Sequence, residues 1–119
     1  MIKKRLFLAL PMLAALAGGA QAQKSIAGSY NVEGRGPDGA SYRGTVEVVP
    51  TGDTLRVTWL IGGERFLGTG IGDETFMSVS YRSGNHTGLV LLVNENGVWS
   101  GIWTYAGGTK LGQERWTRR

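Results

Sequence analysis

Thr87-Gly-Leu-Val-Leu-Leu-Val93, Asn94-Glu-Asn-Gly97 and Val98-Trp-Ser-Gly-Ile-Trp-Thr-Tyr105 form the consecutive stretch that decides the fold. Two runs rich in β-branched and aromatic residues flank an Asn-Gly pair. That pair suits a two-residue hairpin, because both central positions of the favoured turn need positive φ. In the second run Trp99, Gly101, Trp103 and Tyr105 share one face, while Val98, Ser100, Ile102 and Thr104 share the other. A period of two is the signature of a strand with one buried face. The first run is apolar at every position from Leu89 to Val93, which predicts a strand covered on both faces.

The same alternation extends outward from this hairpin. Tyr42, Gly44, Val46 and Val48 oppose Arg43, Thr45 and Glu47, and Leu55, Val57, Trp59 and Ile61 oppose Arg56, Thr58 and Leu60. No segment keeps apolar residues at helical spacing, and glycine recurs every few residues. The pattern predicts strands over 29–34, 42–49, 54–61, 64–71, 75–81, 87–93, 98–105 and 110–117. Gly62-Gly63, Gly72-Asp73-Glu74 and Ala106-Gly107-Gly108-Thr109 are short hairpin connections. Only 35–41, with its Pro37-Asp38-Gly39 turn, is longer. The expected fold is all-β, an eight-stranded antiparallel up-and-down meander. Tyr42-x-Gly44, Phe66-x-Gly68 and Trp99-x-Gly101 each set a ring on the same face as a glycine. Strand glycines weaken a sheet unless room or curvature is needed. Rings lying over the glycines of neighbouring strands meet both needs in a small closed barrel, which also has no edges to protect. The four tryptophans are then expected to fill its interior, with Trp116, near the chain end, the most exposed of them.

Residues 1–22 have the form of a cleaved signal peptide: Lys3-Lys4-Arg5, an apolar run from Leu6 to Leu16, and Ala20-Gln21-Ala22 before the cut. The run is too short to span a bilayer, which takes about 20 residues. The expected product is one domain, 23–119, exported to the periplasm or secreted, with a core formed without cysteine. Of 13 basic residues three lie in the leader, leaving ten against nine acidic ones. Arg35, Arg43, Arg56, Arg65 and Arg82 are dispersed one to a segment and only the end, with Arg115, Arg118 and Arg119, is locally basic, which argues against nucleic acid as a partner. Strands of six to eight residues with Arg43, Glu47, Arg56 and Arg65 facing out argue against a membrane barrel.

Reactive groups are sparse. His86 is the only histidine and cysteine is absent, so a metal held by several His or Cys ligands is excluded and no cofactor is expected. Gly34-x-Gly36-x-x-Gly39 matches a dinucleotide fingerprint in letters only, since a turn into a strand follows where a helix is required. Glu114 is the one inward-facing acid, sharing its face with Gly112 and Trp116. An inward carboxylate is expensive unless paired. It is either bridged to an arginine or to backbone amides, or it anchors a pocket rimmed by Trp103, Tyr105 and Trp116.

Gly28-x-Tyr30-x-Val32-x-Gly34, Pro37-Asp38-Gly39, Gly52-Asp53, Trp59 and Gly68-Thr69-Gly70-Ile71, with the ending Gly101-x-Trp103, Gly107-Gly108 and Gly112-x-Glu114, carry a family resemblance. The chain resembles a family of small exported bacterial β-proteins, often labelled fibronectin-binding proteins. The resemblance implies an adhesive or protein-binding role and brings no catalytic residues. A looser likeness in fold links the eight-strand meander with inward tryptophans to avidin-type barrels.

These readings lead to a non-enzymatic exported binding module recognising an extracellular or envelope protein or glycan. Its contacts would come from loops or the barrel mouth: Arg35 and Asp38 in one loop, Arg82 and His86 in another, with Glu114, Trp103, Tyr105 and Trp116. A small-ligand carrier with an internal calyx is the alternative, and an inhibitor of a secreted enzyme a further one.

Overall fold

Alternation gives each strand an apolar face, and a single sheet hides these faces together by curling closed. A computed structural model describes residues 26–119; the leader and its cleavage site lie outside the described residues. The strands are β1 (Gly28–Arg35), β2 (Ser41–Thr51), β3 (Thr54–Ile61), β4 (Glu64–Gly72), β5 (Phe76–Ser83), β6 (His86–Glu95), β7 (Val98–Tyr105) and β8 (Gly112–Arg118). Each pairs antiparallel with the next, and β8 returns to β1, so the eight-stranded meander is a closed barrel. Val32 faces Trp116 and Gly34 faces Glu114 across the closing seam. Asn96 and Gly97 both have positive φ, 56° and 88°, as the Asn-Gly hairpin requires.

Strand limits differ from the sequence expectation where polar side chains claim backbone groups. β5 begins at Phe76 because the Asp73 carboxylate accepts the Thr75 and Phe76 amides at 2.9 and 3.1 Å. β8 begins at Gly112, since the Thr104 hydroxyl donates to the Lys110 carbonyl at 3.0 Å and holds that residue in the loop. β2 runs on through Pro50, which lies opposite Leu55.

Two expectations about burial are corrected. β6 is not covered on both faces: Val90 and Leu92 are buried, but Leu89, Leu91 and Val93 are 53%, 39% and 48% exposed. A one-layer barrel has a single inner face, so the second apolar row of β6 stands in solvent beside Ile102 and Phe76, both also exposed. Trp116 is fully buried rather than exposed, because closure onto β1 puts it against Val32 and the Tyr30 ring, 5.4 Å between centroids.

Rings over glycines are observed. A Cβ at Gly34 would strike the Tyr42 phenol, at Gly88 the Tyr81 hydroxyl, at Gly112 the Trp103 indole and at Gly68 the Trp59 ring. These side chains lean across the sheet into space a larger residue would occupy. The end carrying the turns after β2, β4 and β6 is sealed. Ile26, Leu55, Met77, Leu92 and Trp99 are buried there, and the Tyr30 hydroxyl donates to the Ile26 carbonyl at 2.7 Å. Arg118 lies over the Tyr30 ring and donates to the Ala27 carbonyl at 2.6 Å. The opposite end is open.

Candidate functional site

Antiparallel order brings the connections after β1, β3, β5 and β7 to the open end, and a cavity of about 250 Å³ enters the barrel there. Tyr42, Trp59, Phe66, Tyr81 and Trp103 line it, with Ile61, Val90 and Glu114 and the loop residues Gly36, Asp38, Ala40 and Ser41. The expectation that rings fill the interior therefore holds for the sealed half only. In the open half the rings stand edge to face. Tyr81 meets Trp59 at 6.0 Å and 64°, Phe66 at 6.0 Å and 79°, and Trp103 at 6.3 Å and 73°. Tyr42 closes the set against Trp103 at 6.2 Å and 72°. Rings turned this way form walls, and walls at right angles enclose space that stacked rings would occupy.

Glu114 projects inward from β8, 6% exposed. Its neighbours across both seams are glycines, Gly34 on β1 and Gly101 on β7. The bare backbone at Gly34 lets the Tyr42 ring lie flat enough to reach the carboxylate. The Tyr42 hydroxyl donates to Oε1 at 2.5 Å, and the Trp59 and Trp116 indole N–H groups both donate to Oε2 at 2.7 Å. Neither bridge expected for this residue, to arginine or to backbone amides, is the one formed. Three neutral side-chain donors from β2, β3 and β8 hold it instead. Burial pushes the Glu114 carboxyl above its usual range, against the opposing pull of these three hydrogen bonds. The Tyr42 hydroxyl is raised by burial first, then by the Glu114 charge it donates to. Tyr81 is pushed up to about 12, by burial and then by the charge of Glu114. The Trp103 Nε1 is buried without a hydrogen-bond partner and lies where a Gly112 side chain would be.

Of the residues singled out from sequence, Glu114, Trp103 and Asp38 border the cavity. Trp116 lies beneath Glu114 as one of its donors and does not line the cavity. Tyr105 is 47% exposed and sits outside the mouth, its ring 6.4 Å from Trp103. Arg35, Arg82 and His86 are exposed at the same end and do not line the cavity. Tyr42, Trp59, Phe66 and Tyr81 were not singled out as site residues, although alternation already put Tyr42 and Trp59 on inner faces. Asp38 also fixes its own loop: its carboxylate accepts the Ala40 amide at 3.0 Å, and Gly36 and Ala40 pair at 2.8 Å.

A larger groove of about 840 Å³ crosses the outer wall beside Glu33, Arg35, Arg43 and Arg115. The Arg43–Glu33 pair there is 3.6 Å apart, with side chains 85% and 62% exposed. Solvent-exposed pairs of this kind contribute little. The interior cavity has the convergent polar group and apolar walls that ligand sites share.

No protein-family model matches the chain, and no curated protein matches it. Solved structures do. A redesigned β-barrel superposes with a TM-score of 0.68 at 21% identity, covering 82% of this chain and 95% of the other. A second redesigned barrel, mFAP1, bound to DFHBI, gives 0.64 at 18%, covering 82% and 98%. Lipid binding protein 8 of Caenorhabditis elegans gives 0.55 at 10%, covering 81% and 96%. At these identities the likeness is one of fold.

Proposed function

We propose that this protein is an exported small-ligand-binding barrel whose site is the aromatic cavity at the open end. The observation that carries the reading is that cavity itself. It is a space of about 250 Å³ walled by five rings, with a buried carboxylate as its polar anchor. The volume lies just under the ~300–1,000 Å³ of drug-sized pockets, so the ligand is compact. Two of the structural neighbours support the direction: one barrel is bound to DFHBI, the other is a lipid binding protein. The proposal makes the calyx the leading reading and binding, not catalysis, its role. Rings make up most of the cavity wall, and Glu114 spends three acceptor positions on holding the barrel together.

Ile61→Trp tests this. Ile61 is half-buried at the mouth, opposite Glu64 in the register, so a larger ring there narrows the entrance while disturbing little of the core. A small environment-sensitive aromatic dye should bind the wild-type protein and lose at least about tenfold in affinity to the variant, with melting little changed. Equal binding by both proteins would move the site elsewhere. Protein or glycan recognition by the rim is the second reading, because Arg35, Asp38, Arg82 and His86 converge on one end. It predicts that replacing Arg35, Arg82 and His86 by alanine, none of which lines the cavity, abolishes partner capture while dye binding persists.

A further inference from the structure

We propose that the occupant of the cavity is a small organic cation, a protonated or quaternary amine on a compact apolar body, seated between the ring walls and the Glu114 carboxylate. The inference rests on the cavity reading above and specifies its ligand class. The first support is an imbalance of charge. All three partners of Glu114 are neutral donors, and no Lys, Arg or His among the described residues forms an ion pair with it. A carboxylate has about four lone-pair sites, so one remains, on Oε1, which accepts a single bond where Oε2 accepts two. A buried charge without a counter-charge is expensive. A bound cation supplies the counter-charge, and a protonated amine also donates to the remaining position.

The second support is the walls. Tyr42, Trp59, Phe66, Tyr81 and Trp103 surround the space, successive rings turned by 64–79°. A cation among them is attracted by the negative faces of more than one ring, and more strongly as the site dries. Third, the charged residues bordering the cavity are Asp38 at the mouth and Glu114 within, both acidic. A fatty-acid carboxylate would find like charge and no cation, which separates this cavity from one built for an anionic lipid. Burial raises the Glu114 carboxyl by disfavouring its charged form, and a cation bound beside it would lower it again.

The test is calorimetric titration of the purified protein at neutral pH with benzylammonium, benzyl alcohol and benzoate, which share a ring and differ in charge. Benzylammonium should bind at least about tenfold tighter than benzyl alcohol, and benzoate weakest of the three. In Glu114→Gln the cation's advantage should shrink to within about threefold, with benzyl alcohol affinity retained. The wild-type series decides the question alone if that variant fails to fold. Equal affinities, or a preference for benzoate, overturn the cation inference and leave the cavity reading standing. Binding by none of the three overturns both.

Discussion

Replacing Glu114 by Leu, and separately by Gln, probes the polar centre on which the open half of the barrel is built. Leu removes the shared acceptor and strands three donors: the Trp59 and Trp116 indole N–H groups, both buried, and the Tyr42 hydroxyl. An orphaned buried donor costs about 1–3 kcal/mol. The Tyr42 hydroxyl, nearest the cavity, can turn to water, so the two indoles set the scale at about 2–6 kcal/mol. Leu regains some apolar burial, which brings the expected loss to about 2–4 kcal/mol. Gln keeps one carbonyl oxygen for both indoles, and its amide N–H can donate to the Tyr42 oxygen once that hydroxyl rotates. It should cost less than about 1.5 kcal/mol. For a domain of this size 1 kcal/mol moves Tm by about 4–8 °C. Equilibrium urea denaturation and thermal melts of the three proteins measure the order wild type, Gln, Leu. A buried carboxylate can be replaced without loss where its partners are replaced with it, but here the partners stay. A Leu variant as stable as wild type would refute the reasoning.

The pH dependence follows from the same residue. Burial raises the Glu114 carboxyl above its ordinary 4.5, so the folded chain retains a proton that the unfolded chain releases. Its contribution is complete below pH 4.5 and is lost as pH rises through the folded-state value; the stability of wild type minus that of Glu114→Gln should therefore fall with pH across that window, and a rise would contradict the assignment. Gly34→Ala places a Cβ against the Tyr42 phenol and 2.8 Å from the Gln113 carbonyl oxygen; overpacking of this kind should cost about 1–3 kcal/mol and detach Tyr42 from Glu114, read as a melting shift and altered tyrosine absorbance. On the outer wall, Leu91→Lys should change stability by less than about 0.5 kcal/mol and raise solubility, since Leu91 is 39% exposed; a loss above about 2 kcal/mol by urea denaturation would mean that this wall is covered.

Much of the barrel was legible because a strand's period of two is short-range. Tyr42, Leu55, Trp59 and Trp99 could be turned inward from a few neighbouring residues each, and the hairpin glycines then fixed the order. The inward position of Glu114 followed from Gly112 and Trp116 at the same parity. Its partners did not, since Tyr42 and Trp59 lie 72 and 55 residues away and meet it only through the stagger with which the barrel closes. The burial of Trp116 was hidden for the same reason: nearness to the chain end suggests exposure, but the end is the seam. The unbroken apolar run of β6 signals coverage only if a second layer exists, and a barrel has none. Whether the rings fill the interior or wall it depends on how each tilts over a neighbour's glycine, which composition does not record.

The central claim, that the rings at the open end enclose an accessible site, is tested most directly by following the tryptophan indole N–H resonances of the purified protein during titration with benzylammonium. The account predicts large shifts for Trp59 and Trp103, which line the cavity, a smaller one for Trp116 beneath Glu114, and none for Trp99 at the sealed end. Still indole signals, with shifts confined to the outer wall around Leu89, Leu91 and Val93, would contradict it.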